Sequence, residues 1–198
     1  MDEGRFLELC RARRSVRRFS EGPVEREKLA YCLEAARLAP SADNDQPWRF
    51  IVFDDPAAKA ALADAAFSGI YRTSRRMAHA PVLVVLAVRE NLLINRVGGG
   101  VQGTPFQLID AAIAGEHFVL AAAEQGLGTC WVGWYDARAL RRHLGLGRGL
   151  RPVCLIAVGY PAAGWKPGPA RRRPLGDIAD WNAPPRGPAR LRATRGQA

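Results

Sequence analysis

Ala39-Pro40-Ser41-Ala42-Asp43-Asn44-Asp45-Gln46-Pro47-Trp48-Arg49-Phe50-Ile51-Val52-Phe53 packs small, amide-bearing and rigid residues into a turn that runs straight into a strand. Pro40 and Pro47 fix the backbone and remove two donors, so polar contacts have to come from Ser41, Asn44, Gln46 and the remaining peptide groups. Asn and Gln each carry a donor and an acceptor, which is what the edge of a heteroaromatic ring requires. The turn therefore suits a flat polar ligand held against a sheet edge.

Around that turn the hydrophobic pattern alternates between helical and extended periods. Helices are expected at Glu3 to Arg14 and Arg26 to Leu38, the second with Leu29, Leu33 and Ala36 on one face. Trp48 to Phe53 reads as a strand, and Pro56 opens a helix to about Phe67. Pro81 to Val88 is apolar and β-branched throughout, the pattern of a strand covered on both faces. Ile109 to Gln125 is a long apolar helix stopped by Gly126-Leu127-Gly128. Strands at Cys130 to Trp134 and Pro152 to Val158 follow, with a short helix at Asp136 to Leu144 between them. The fold class is α+β, with helices and strands packed in layers. Between them Glu90 to Gln107 carries Gly98-Gly99-Gly100 and Gly103 and is long for a connection, so a mobile lid over a site is expected there. No Gly-Lys-Ser/Thr follows the glycines, which excludes a P-loop.

With 198 residues and 48% hydrophobic content the chain suffices for one domain, 1–198, with 161–198 as an extended C-terminal arm. Cys10, Cys32, Cys130 and Cys154 stand far apart in apolar surroundings and read as reduced core residues, with no metal expected. His79, His117 and His143 are not spaced as ligands or as partners of a nucleophile. The acidic start Met1-Asp2-Glu3 is unlike a signal peptide, and the apolar run Ala80 to Val88 falls far short of the roughly 20 residues that span a bilayer. A soluble cytoplasmic protein with no membrane partner is expected.

A net charge of +10 raises the question of nucleic acid. The charge gathers at Arg11 to Arg18 and in 161–198, where eight basic residues face two acidic ones. That arm also holds half of the chain's 14 prolines, so it is no recognition helix, and nucleic acid is not the expected partner. In Arg13-Arg14-Ser15-Val16-Arg17-Arg18-Phe19, four arginines flank a hydroxyl just after a helix. Such a cluster surrounds a dianionic phosphate with charge-assisted bonds, although basic residues also gather at helix ends to complement the macrodipole.

The two motifs together, in this order, resemble the nitroreductase family of FMN-dependent enzymes. Two further blocks carry the resemblance: Gly126-Leu127-Gly128-Thr129-Cys130-Trp131-Val132-Gly133-Trp134, and Arg171-Arg172-Arg173-Pro174-Leu175-Gly176. The resemblance extends from Phe6 to Trp181. It implies a mixed sheet flanked by helices in an intertwined homodimer, with the arm wrapping a partner subunit. It assigns Arg13, Arg14, Ser15 and Arg17 to the FMN phosphate and ribityl chain. Pro40, Ser41 and Asn44 would come from the other subunit, and Gln46 is a further cofactor-binding candidate of the same turn. The backbone near Val132, Gly133 and Trp134 faces the ring, where a peptide N–H can bond N5. Arg172 is the phosphate-side arginine of the fourth block, although Ala170 stands where a basic residue is frequent. Thr73 and Arg76 match weaker cofactor contacts, and Asp110 matches a polar position near the ring.

The activity so implied is hydride transfer from NADH or NADPH through FMN to a small-molecule electron acceptor such as a nitroaromatic or quinone, in a ping-pong cycle. The flavin carries the chemistry, so no catalytic side chain is required. Trp48, Trp131 and Trp134 offer an aromatic wall for a planar acceptor, although tryptophan is also a core residue. Two alternatives remain. The chain also resembles the flavin-fragmenting dimethylbenzimidazole synthases, which tend to carry an acidic residue where Ser15 stands. A noncatalytic basic protein binding nucleic acid or flavin would show salt-dependent binding and no turnover.

Overall fold

The computed structural model describes residues 4–89, 104–147 and 149–182. Five helices are described: α1 (Arg5–Ala12), α2 (Arg26–Arg37), α3 (Pro56–Ala66), α4 (Phe106–Glu124) and α5 (Ala137–His143). The strands are β1 (Trp48–Phe53), β2 (Val82–Arg89), β3 (Gly128–Val132) and β4 (Leu150–Gly159). Short 3-10 segments lie at Ala42–Asn44, Gly69–His79 and Leu175–Asp177. The chain divides into two compact units, one up to Pro167 and one from Gly168. The described part of the second carries the turn at Leu175–Asp177 and is exposed almost throughout.

Local chemistry sets the helix ends. The Asp55 carboxylate accepts from the Ala58 N–H at 2.8 Å with Pro56 at the first helical position, and Asp136 caps α5 through the Ala139 N–H at 2.9 Å. Gly126, with φ 75°, stops α4, and the Leu127 N–H bonds back to the Ala122 carbonyl at 2.8 Å. Helix α1 ends at Ala12, so Arg13 is already extended, with φ −62° and ψ 122°. The expected helix to Arg14 is shorter because the chain there leaves α1 to join the sheet.

The sheet runs β1-β2-β4-β3, each neighbouring pair antiparallel, and a parallel bridge from Ser15 to Thr129 makes the pairing mixed. Alternate side chains of β2 serve two cores. Val82, Val84, Leu86 and Val88 pack with α2 and α4 against Ile156 and Phe118, while Leu83 and Val85 pack with α3 and α5 against Phe67, Leu140 and Leu155. The expected double coverage of this strand follows from these two helical layers. Phe50 stacks on Phe118 with ring centroids 5.6 Å apart, tying edge strand β1 to α4. Helix α4 is long and apolar enough by composition to span a membrane, but it sits in the core, with Ala111, Ala114, Phe118, Val119 and Ala122 buried.

Three of the four cysteines are buried and free, but Cys10 is exposed, contrary to its expected core place, because α1 buries no residue. The expected lid lies mostly at 90–103, outside the described residues, while Phe106 and Gln107 already belong to α4.

Candidate active site

The basic segment is stitched to the sheet by its own backbone. The Val16 N–H donates to the Thr129 carbonyl at 2.8 Å, the Ser20 N–H to Tyr160 at 2.9 Å, and the Ala162 N–H to Arg18 at 3.0 Å. Val16 is buried over Gly128, so the alternation of an extended chain turns its neighbours Ser15 and Arg17 outward, and both are exposed. Arg13 and Arg14 are half-buried, and Arg13 Nε lies 3.7 Å from a Glu116 oxygen on α4.

The segment Gly69–His79 supplies a second source of charge. In a 3-10 helix residues three apart share an edge, which aligns exposed Ile70, Thr73 and Arg76. Burial pushes the Cys130 thiol of β3 above its ordinary value, and the positive charges of Arg17 and Arg76 oppose that rise. Two guanidinium groups from distant parts of the chain therefore act on one point of β3.

Just past the end of β3 the backbone is bare at Gly133. The Thr129 carbonyl points away from β4 to Val16, so by alternation the Trp131 carbonyl faces the same open edge, and Gly133 follows just past the end of the strand. A Cβ on Gly133 would meet nothing within 4 Å. Val132 is buried, and the Trp134 indole is exposed beside the 3-10 segment, donating from Nε1 to the Ile70 carbonyl at 3.2 Å. Trp131 instead packs into the space left by Gly115, and Trp48 is half-buried against the α2/α4 core.

The turn at 40–46 is held open by strain and clamps. Asp43, Asn44 and Gln46 have φ of 49°, 55° and 46°, left-handed values that cost a non-glycine residue on the order of 1–2 kcal/mol each. Ser41 Oγ accepts from the Gln46 N–H at 3.0 Å, and the Gln46 amide donates to Asn44 Oδ1 at 2.9 Å. From outside, the Asp110 carboxylate of α4 accepts from the Ala42 N–H at 3.1 Å, and the Arg89 guanidinium donates to Asp45 Oδ1 at 2.9 Å. Asp110 is only 4% exposed, so its described contact is with the turn. Pro40, Asn44 and Gln46 are exposed.

The structure brings Ser15, Arg17, Thr73, Arg76, Gly133 and Trp134 to the β3 side, and it does not bring the 40–46 turn to them. Thr129 lies level with Val158 and Val82, whereas the turn enters β1 at Trp48, level with Val88 and three strands away. At ~3.4 Å per residue and ~4.8 Å per strand the two motifs stand roughly 20 Å apart along the strands and 14 Å across them. Arg172 lies exposed in the unit from Gly168 and is described only within it, its guanidinium donating to the Arg171 carbonyl at 3.1 Å.

The model of the nitroreductase family matches residues 10–78 and 71–160, which includes every element from α2 to β4. The chain belongs to the nitroreductase family. An NADH dehydrogenase from Thermus thermophilus is 35% identical over 196 residues, covering 85% of this chain and 92% of that protein. A 5,6-dimethylbenzimidazole synthase from Rhodospirillum rubrum is 31% identical, covering 75% and 78%. A solved FMN-dependent nitroreductase from Clostridium difficile superposes with a TM-score of 0.71 at 25% identity, covering 89% of this chain and 99% of that one. This nitroreductase-family chain is thus an oxidoreductase in general class, from a family with flavin-dependent members.

Sequence reading missed Arg89, Glu116, Ile70 and Tyr71. A lone arginine ending the apolar strand β2 was the available sign for Arg89. The others become visible only once the segments they join are packed. Among the described residues no group of three or more potential metal ligands occurs, and His117 Nδ1 lies 3.2 Å from the Ala35 carbonyl, inside the α2/α4 packing.

Proposed function

We propose that the chain is an FMN-dependent NAD(P)H oxidoreductase that works as a homodimer and passes electrons to an electron-poor aromatic acceptor in a ping-pong cycle. The observation that carries this reading is the seating of the Arg13–Arg17 segment along β3, through the Val16 N–H to the Thr129 carbonyl at 2.8 Å, close to the uncovered backbone at Gly133. The donor set fits the cofactor: guanidinium groups and the Ser15 hydroxyl suit a phosphate and ribityl chain, and a strand edge without side-chain cover accepts a flat ring. Bound there, FMN supplies the capacity to accept a hydride from one substrate and give electrons to the next.

The chain's own residues bind and orient. Arg13, held by Glu116 through Nε, keeps its terminal nitrogens for the phosphate beside Arg14, Ser15 and Arg17. Thr73 and Arg76 flank the ring from the 3-10 segment, and the peptide groups from Val132 to Trp134 offer donors along its edge. The distance between the Arg13–Arg17 segment and the 40–46 turn supports the homodimer, because one protomer cannot apply both to one ligand. Pro40, Ser41, Asn44 and Gln46 then come from a second copy. Gln46 spends its amide nitrogen on Asn44, and among the described residues neither the Asn44 nitrogen nor the Gln46 oxygen has a partner. They make a donor and acceptor side by side for a heteroaromatic edge. Arg172 and the wrapping of the partner by the arm rest on the resemblance alone.

A second reading, flavin fragmentation, draws support from the 31% identity to the dimethylbenzimidazole synthase. Ser15, where those enzymes tend to be acidic, favours the reductase. The nucleic-acid reading is weakened by the carboxylates that pair with Arg5, Arg26, Arg37 and Arg75 on the described surface.

The deciding experiment is the visible absorption spectrum of the purified protein before and after anaerobic addition of NADPH, then NADH. A flavin band bleached by either nucleotide is expected. A band that neither bleaches, with a benzimidazole formed from reduced FMN and oxygen, would instead establish the fragmenting enzyme. Arg17→Ala should weaken FMN retention about tenfold or more with an unchanged circular dichroism spectrum, since a charge-assisted bond contributes ~1.5–3 kcal/mol and Arg17 is outside the core. Unchanged flavin affinity in that variant would remove Arg17 from the site.

A further inference from the structure

We propose that Trp134, backed by Tyr71 and Ile70, is the seat on which an electron-poor planar ring such as a quinone is held, and that Trp134 determines the preference for such acceptors. This rests on the oxidoreductase reading above. The indole follows Gly133 directly, two residues past the end of β3, and lies against the Gly69–His79 segment.

Its surroundings are unusual for an exposed side chain. Trp134 is 53% exposed, yet its Nε1–H is bonded to the Ile70 carbonyl and its ring lies 5.0 Å from Tyr71 at a 54° tilt. Ile70, 71% exposed, extends the apolar surface. A hydrogen bond at one edge and an aromatic neighbour fix the ring before any ligand arrives, which removes much of the ordering cost of binding. Neither restraint covers the rest of the indole. The other two tryptophans near these elements are committed to packing, Trp131 over Gly115 and Trp48 against the α2/α4 core.

The electronic match selects the ligand class. An indole face is electron-rich, and aromatic pairs gain from complementary charge distributions. A quinone or nitroarene ring is electron-poor, so it stacks better than a phenol, and an aliphatic or inorganic oxidant gains nothing. The overall exchange balances as NAD(P)H, one proton and a quinone giving NAD(P)⁺ and the hydroquinone, with the reductant supplied by the nicotinamide and the proton by water. Trp134 supplies position only.

The test compares flavin-loaded wild type, Trp134→Ala and Trp134→Phe with two oxidants, 2-methyl-1,4-naphthoquinone and ferricyanide. Trp134→Ala should lose about tenfold more in kcat/KM for the naphthoquinone than for ferricyanide, chiefly through KM, when each is compared with wild type at equal flavin occupancy. Trp134→Phe, which keeps a stacking face, should retain most of the quinone activity. Equilibrium dialysis of the naphthoquinone against the oxidised protein should show the same weakening without turnover. Equal losses with both oxidants, an unchanged dissociation constant, or conversion to monomer on gel filtration would overturn the proposal. Wild type that holds no flavin would overturn the oxidoreductase reading instead, and the dialysis comparison would still decide whether Trp134 seats the ring.

Discussion

Gly128 and Gly133 lie at either end of β3 and lack a side chain for opposite reasons. A Cβ on Gly128 would stand 2.6 Å from Val16 Cγ2, so this glycine exists to let the basic segment lie against the strand. Gly128→Ala should therefore lower stability by ~1–3 kcal/mol, the cost of overpacking, and weaken flavin binding because Ser15 and Arg17 move with Val16. At Gly133 there is room for a methyl group in the free protein. Gly133→Ala should leave the melting temperature of the flavin-free protein unchanged and still reduce flavin affinity about tenfold, since the methyl would occupy the surface on which the ring is proposed to lie. Thermal melts and flavin titrations on both variants separate the two roles, and wild-type affinity in Gly133→Ala would place the ring elsewhere.

At the scale of elements, the turn before β1 was legible in the sequence from its prolines and amides, but its three left-handed residues were not, because Asp, Asn and Gln do not announce a positive φ as glycine does. The long strands and α4 were legible because their apolar runs have one dominant period. The segment Gly69–His79 was not, since its three-residue repeat of Ile70, Thr73 and Arg76 resembles neither a helix nor a strand. The anchor of the turn was partly legible: Asp110 stood out as a polar residue opening an apolar helix, while its partner, the Ala42 N–H, required the packing of α4 on the turn. Burial raises the Asp110 carboxyl above its ordinary value, the bond from Ala42 opposes the rise, and the nearby Asp45 charge adds to it. The folded chain thus holds this proton to higher pH than the unfolded chain, so its stabilising effect is full in acid and is lost as pH rises through the folded value. The stability of wild type relative to Asp110→Asn, taken from urea midpoints between about pH 3 and pH 7, should fall as pH rises, whatever the carboxyls with lowered values, Glu25, Glu34 and Asp54, add to both profiles. At neutral pH Asp110→Asn should keep flavin affinity, because its oxygen still accepts from Ala42, whereas Asp110→Ala should lose several-fold; equal affinity in both would mean that the anchor does not shape the site.

For the whole molecule, the register of the sheet is decisive. The sequence carried both candidate motifs but could not show that β1 and β3 are opposite edges, because strand order is fixed by long-range pairing through β2 and β4. That order separates Arg17 from Asn44 within a protomer, and the proposed symmetric pair of chains would restore their proximity twice. The arrangement can be tested with two variants that each bind flavin poorly alone, Arg17→Ala and Asn44→Ala. In a hybrid dimer formed by unfolding and refolding a mixture, one site inherits both substitutions and the other inherits neither. Random pairing makes half of the dimers hybrids, so flavin capacity should recover to about a quarter of the wild-type value. If both residues served one site from the same chain, every site in the mixture would carry one substitution and no capacity would return.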